Sequence, residues 1–216
     1  MSCPPTSSPL AHGALRRLNG GMATYMSTAE DLPRKRDAVR TRSELLAAAQ
    51  SVFATVGYTG GGVREIAALA GIDASLVRRY FGSKEGLFAA ALAEALDIDR
   101  MLDTPHESFG QHVVAHFLDG ERDSPNPLLI MLLAMTDPTA RVIVLSTLDE
   151  RVVAPLGRWI GGADGALRAA RVSMLCSGFF TYWKLLPLDV FANGIDADTR
   201  RWLEQSLQSA INGPRP

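Results

Sequence analysis

Residues 63–81, VREIAALAGIDASLVRRYF, hold two short helical periods split by a glycine. In the first, Ile66 and Leu69 fall on the inward side of a helix over Val63–Ala70. Gly71-Ile72 makes a turn, and Asp73 caps a second helix that runs to Phe81. The offsets are those of a helix-turn-helix unit. Ala67 is small where the second helix crosses the first, and four positions later Gly71 supplies the positive φ of a tight turn. Ile66, Ile72, Val77 and Tyr80 pin the two helices together. Ala74, Ser75, Arg78 and Arg79 are left facing outward. A helix of this kind lies in the major groove of DNA, where an arginine pairs with O6 and N7 of guanine.

Upstream, a helix starts at Arg34 and carries Leu45, Ala49, Val52, Phe53 and Val56 on one face until Gly57 ends it. Gly60-Gly61-Gly62 then breaks the chain. A nucleotide-binding loop would need a preceding strand and a following Gly-Lys-Ser/Thr, and neither is present. The glycines instead leave the next helix N-terminus open to a phosphate, with Arg64 in reach of a phosphate or a base edge. Downstream, Ser83 caps a fourth helix that continues to about Leu102.

The rest of the chain is helical punctuation. Thr104-Pro105-His106-Glu107 reads as a capping box, and Ser124-Pro125 and Asp137-Pro138 as caps followed by proline. Pro155 is expected to kink the helix that starts at Pro138. Asp164 opens a long apolar helix that Pro187 stops, and Asp196 or Asp198 opens a last one closing near Asn212-Gly213. With no convincing strand, the class is all-α with roughly nine helices. The expected division is a flexible extension over 1–33, a DNA-binding domain over 34–88 and a second domain over 89–213.

Charge follows that division. The 216 residues carry a net charge of −1, yet Pro33–Phe88 holds nine basic and five acidic residues, and Ala89 onward eleven basic and sixteen acidic. A basic front on an acidic rear is what one polyanion-binding domain produces. In the extension, Arg16 and Arg17 are minor candidates for a minor-groove arm. No apolar run reaches the roughly 18 residues of a membrane helix, and no signal-peptide stretch stands at the front. Two cysteines, Cys3 and Cys176, make no disulfide framework. A cytoplasmic location without membrane contact is expected.

Residues 40–88 resemble the DNA-binding domain of the TetR family of bacterial regulators. The carrying stretch is LLAAAQSVFATVGYTGGGVREIAALAGIDASLVRRYFGSKEGLF, residues 45–88, with the family's hydrophobic first helix, its IA..AG and its F.SKE.L. The resemblance implies an all-helical homodimer in which three N-terminal helices bind DNA and a variable C-terminal domain binds a ligand and dimerises. By position it makes Arg64 a DNA contact and puts Ser75, Arg78, Arg79 and Tyr80 on the recognition helix. It makes Lys84 a phosphate-contacting lysine. Two positions depart from the pattern: Gly62 stands where the family often has threonine, and Arg78 where it commonly has tyrosine.

The rear domain carries no GxSxG, HExxH or EF-hand loop, so neither an enzyme nor a bound cofactor is expected. His112 and His116 stand one turn apart without a third ligand nearby, and Cys176 reads as core, leaving no metal site. Ala166–Leu186 is apolar nearly all round and must be buried on every side. Together with Trp202, Leu203, Leu207, Ala210 and Ile211 it is expected to build a four-helix dimer interface, Gly178 allowing close approach. Phe109, Phe117, Met131, Met135, Trp159, Phe179 and Trp183 are the candidate lining of a pocket for an apolar or amphipathic small-molecule effector. The expected function is a homodimeric regulator of a palindromic operator on double-stranded DNA, a repressor released by that effector. The alternative is a DNA-binding protein without a small ligand, acting through a protein partner or DNA architecture.

Overall fold

The computed structural model describes residues 31–119 and 126–213. Helix α1 (Asp31–Gly60) is broken at Gly57, where φ is 72°. Then come α2 (Val63–Leu69), α3 (Ala74–Phe81), α4 (Lys84–Ala95), the single turn α5 (Asp99–Leu102), α6 (Phe109–Asp119) and α7 (Pro127–Ala134). They are followed by α8 (Pro138–Leu148), α9 (Ala154–Ile160), α10 (Gly165–Phe180) and α11 (Ala197–Asn212). Among the described residues there is no strand. Most of the extension, and the Ser124-Pro125 signal, lie outside the described residues.

Two apolar cores organise these helices. The first joins Leu45, Leu46, Phe53, Ile66, Val77, Leu87, Phe88 and Leu92 of α1–α4 to Ile130 and Ala134 of α7 and to Ala140 and Val144 of α8. The second joins Phe109, Val113 and Val114 of α6 to Leu156, Val172 and the α11 stripe Leu203, Leu207 and Ile211. Val152 packs against both. The boundary expected after residue 88 therefore falls inside α4, and the DNA-binding helices share their core with α7 and α8.

Side-chain caps set most of the helix starts. Asp73 accepts from the Ser75 N–H at 2.8 Å, Ser83 from Gly86 at 3.2 Å, Asp137 from Ala140 at 2.9 Å, and Asp196 from both Asp198 and Thr199 at 2.9 Å. Asn126, just before Pro127, caps α7 in the same way. Three expected starts or ends differ. The fourth helix stops at Ala95 instead of near Leu102, because Asp97 accepts the Asp99 N–H and opens α5. The capping box does not form: Thr104 Oγ1 meets Ser108 Oγ, and a short 3₁₀ turn over His106–Ser108 leads into α6. Asp164 precedes α10, but its carboxylate pairs with Arg168 at 2.8 Å instead of capping. Arg168 in turn donates to Gly161 O at 2.6 Å and Ile211 O at 2.7 Å, satisfying carbonyls at the ends of α9 and α11.

Pro155 stands in the first turn of α9. It lacks an N–H and its ring crowds the carbonyl four residues earlier, and the backbone before it widens into a π turn over Asp149–Val153. The long apolar helix also ends in a π turn, Thr181–Leu185. Taking α8, the π turn and α9 as one run of helix and leaving out the single turn α5, nine helices stand among the described residues.

Candidate nucleic-acid interface and internal cavity

The α2–α3 unit is held by its turn. Gly71 has φ 68°, and the N–H of Ile72 donates to Ala67 O at 2.9 Å, so the chain folds back over the last turn of α2. Ala67 and Val77 are buried, which locks the crossing. The Asp73 cap then fixes where α3 begins. Outside this anchor Ser75, Arg78 and Arg79 are exposed, as is Arg64 on α2. Ala74 is half-buried against the core instead of facing out, and Tyr80 is half-buried as well. Leu69 and Val56, expected inward, are exposed: Ile66 and Phe53 already fill the core beside them.

A second group supports the start of α4. Tyr58, just past the Gly57 break, packs its ring on Phe53 and Phe88 and donates its hydroxyl to Glu85 at 2.9 Å. Lys84 Nζ lies 4.5 Å above the same ring. Tyr58 therefore fixes the lysine on one side and its neighbour Glu85 on the other. Arg42 of α1 sits 5.4 Å from the Phe81 ring at the end of α3. Each contact joins residues far apart along the chain, so local spacing reveals neither. Gly62 caps α2 without any side-chain bond, as its lack of a hydroxyl requires.

Two predictions arise here. A Cβ on Gly86 would run into the carbonyl oxygen of Phe81, a backbone atom that cannot swing away. Gly86→Ala should destabilise the protein by about 3 kcal/mol in urea unfolding. A loss below about 0.5 kcal/mol would mean that the α3–α4 turn relaxes freely. Burial, with the bond to Glu85 second, pushes the Tyr58 hydroxyl up to about 12. An acid raised in the folded state stabilises it below its unfolded value, near 10 for a phenol. The Tyr58 contribution is thus whole at neutral pH, declines above about 10 and is gone above about 12. Tyr58→Phe should remove a phenol step near pH 12 from the ultraviolet titration, whereas a missing step near pH 10 would mean a free hydroxyl.

A cavity of about 1060 Å³ opens between the two cores. Leu96, Met131 and Leu148 border it from the first core, and Phe109, Val113, Leu156 and Val172 from the second. Of the seven candidate lining residues, Phe109, Phe117 and Met131 lie on it. The other four lie elsewhere. Met135 is exposed at the end of α7, and Trp159 stacks on His106 at 4.4 Å and packs against Phe109. Phe179 and Trp183 stack on each other at 5.1 Å. Cys176 borders the cavity, and burial pushes its thiol up to about 12, an inert sulfur.

The expected four-helix face is only half present as read. Leu203, Leu207 and Ile211 are fully spent in the second core, and Trp202 alone of the α11 stripe is exposed among its large residues. On α10, Leu167 and Met174 are exposed, as is Tyr182 in the π turn that follows, with Gly178 between the last two. Among the described residues no helix is long and apolar enough to cross a membrane.

Comparison with known proteins agrees with this architecture. Residues 45–91 match the family model for bacterial regulatory proteins of the tetR family, and residues 107–211 the model for the tetracyclin repressor-like C-terminal domain. The HTH-type transcriptional repressor NicS of Pseudomonas putida is 42% identical over 67 residues, which take in 31% of this chain and 32% of that one. The match thus spans about a third of that relative's length. A TetR-family regulator from Streptomyces coelicolor A3 is 28% identical, with a TM-score of 0.50 over 81% of this chain and 96% of that one. The fatty acid degradation regulator FadR of Bacillus halodurans shares the fold, with a TM-score of 0.58 at 17% identity over 80% of this chain and 99% of that one. With both of its helical domains matched in order, the chain belongs to the TetR family of bacterial transcription regulators.

Proposed function

We propose that the chain is a homodimeric DNA-binding repressor released from a palindromic operator by a small apolar or amphipathic effector. In this reading each subunit lays α3 in the major groove. Ser75, Arg78 and Arg79 face the bases, and Arg64, Tyr80 and Lys84 hold the backbone. Acting on DNA puts the protein in the bacterial cytoplasm.

The observation that carries the effector half is the position of the cavity. It lies between the core that contains α1–α4 and the core that contains α10 and α11. A ligand wedged there changes how the reading helices sit on the proposed dimer face. A coupling of about 1–3 kcal/mol weakens operator binding roughly 5- to 150-fold.

The test is an anisotropy titration of the full chain with DNA from its own upstream region and with scrambled DNA, at two salt concentrations. Binding about 10³-fold or more tighter to one fragment supports a sequence reader. Equal, salt-sensitive binding to both would leave phosphate contacts alone and favour an architectural protein.

A further inference from the structure

We infer that Arg42 of α1 binds a DNA phosphate, extending the backbone-holding edge of the reading unit from Lys84 onto the first helix. The inference rests on the DNA-binding reading and adds a contact from an element outside the helix-turn-helix. The match to the family's DNA-binding model begins at residue 45, just beyond Arg42.

The register of α1 puts this arginine on the side that packs. Leu45, Leu46 and Ala49 are fully buried, and Arg42 precedes them at the spacings that share one helix face. The stripe that enters the first core thus continues, one turn toward the N-terminus, as an exposed arginine. Its neighbour there is α3: the guanidinium lies 5.4 Å from the ring centroid of Phe81, the last residue of that helix. Gly82 then ends α3, Ser83 caps α4, and Lys84 Nζ lies 4.5 Å above the Tyr58 ring. Two cations from different helices are therefore seated on aromatic faces at the one corner where α3 passes into α4.

Neither cation has a carboxylate partner. Among the described residues, no ion pair includes Arg42 or Lys84. The acids nearest to them in sequence are engaged: Asp37 and Glu44 stand 4.0 and 3.9 Å from Arg40, and Glu85 accepts the Tyr58 hydroxyl. Arg40 carries the same charge as Arg42 in a different place. Two residues turn a helix by about 200°, so Arg40 stands on the far side of α1 from Phe81, with its charge offset by its two neighbours.

DNA that lies along α3 passes one strand over the end of that helix, where Arg42 and Lys84 stand. An arginine seated on a ring keeps its N–H groups free at the edge of the guanidinium plane. It loses little freedom on meeting a phosphate, which it binds through charge-assisted hydrogen bonds.

The experiment measures anisotropy of a mixed-sequence duplex, several helical turns long, with the full chain over a range of salt concentrations. A phosphate contact needs no operator, so the probe is defined without one. Arg42→Gln should weaken binding about 5-fold per subunit at physiological salt and lower the slope of log affinity against log salt by about one per subunit. The loss should be equal on DNA from the upstream region, because a phosphate contact carries no sequence information. Arg40→Gln should keep the parent's slope. The parent's slope in Arg42→Gln, or an equal loss in Arg40→Gln, would overturn the assignment. So would a loss of selectivity without a change of slope, or an unfolded Arg42→Gln by circular dichroism, since either would make Arg42 a prop for the end of α3. Lys84→Ala is measured beside them. If it lowers the slope and Arg42→Gln does not, the inference fails alone. A parent that binds neither duplex fails the DNA-binding reading itself, and the inference falls with it.

Discussion

Arg79→Ala is expected to remove selective operator binding while leaving the fold and the proposed dimer unchanged. Arg79 is exposed on the outer face of α3 and, among the described residues, takes part in no ion pair. Its helix is held by other groups: Asp73 caps it, Val77 buries its inner side, and Gly82 with φ 76° ends it. Truncation therefore costs the core nothing. If Arg79 pairs with a guanine in each half-site, each pair contributes about 1–3 kcal/mol of discrimination, and a dimer loses both. Selectivity over scrambled DNA should fall by about 30-fold to about 10⁴-fold. Lys84→Ala serves as the contrast. A lost phosphate contact weakens binding to all sequences alike and lowers the salt slope by about one per subunit. Retained selectivity in Arg79→Ala would pass the reading role to Ser75 or Arg78.

The helix-turn-helix was legible because its constraints are local. Ala67, Gly71 and Asp73 each answer one backbone requirement within a few residues, and the structure puts all three where their chemistry demands. Helix starts with Asp or Ser before proline or a helical run were legible for the same reason, whereas the Asn126 cap of α7 stands beside the Ser124-Pro125 signal that the sequence suggests. Thr104 and Asp164 misled because a cap needs only a free side chain, and here Ser108 and Arg168 took those oxygens first.

The cavity was less legible. Aromatic and methionine residues fill a core as readily as they line a void, and sequence offers no measure of which space stays open. Trp159, Phe179 and Trp183 stack on aromatic rings away from the cavity, whereas Phe109, Phe117 and Met131 border the gap between two cores, although Phe109 and Phe117 pack on aromatic rings as well. The first apolar core also runs past the boundary read from charge. The basic-to-acidic switch marks which surface meets a polyanion, and α7 is packed by its apolar residues against α1, irrespective of that switch. Leu203, Leu207 and Ile211 show the same limit: a stripe at helical spacing says that one face is buried, not whether its own chain or a second copy covers it.

Met174→Asp is expected to convert the proposed dimer to monomer and to weaken operator binding severely. Met174 is 65% exposed at the middle of α10, in register with Leu167 one heptad before it and the exposed Gly178 one turn after. On α11, which packs beside α10, Trp202 is 58% exposed. Side chains this large and apolar, standing on two adjacent helices, form the kind of patch that marks a protein–protein interface. The glycine lets a partner backbone approach where a larger residue would hold it off. A carboxylate in the middle of such a face must be buried unpaired on association, a cost of several kcal/mol counted once per subunit. Sedimentation should then show a single 216-residue chain where the parent sediments as two. Losing the second reading head removes the gain from engaging both half-sites at once, about 10²- to 10⁴-fold in operator affinity. Val142→Asp is the control, since Val142 is equally exposed, at 65%, but stands on α8. It should sediment as the parent does. A monomer from Val142→Asp with an intact dimer from Met174→Asp would move the interface to the α7–α8 side, next to Leu132 and Leu145, and would break the proposed route from cavity to reading helices, because the α10–α11 layer would no longer be the part held fixed.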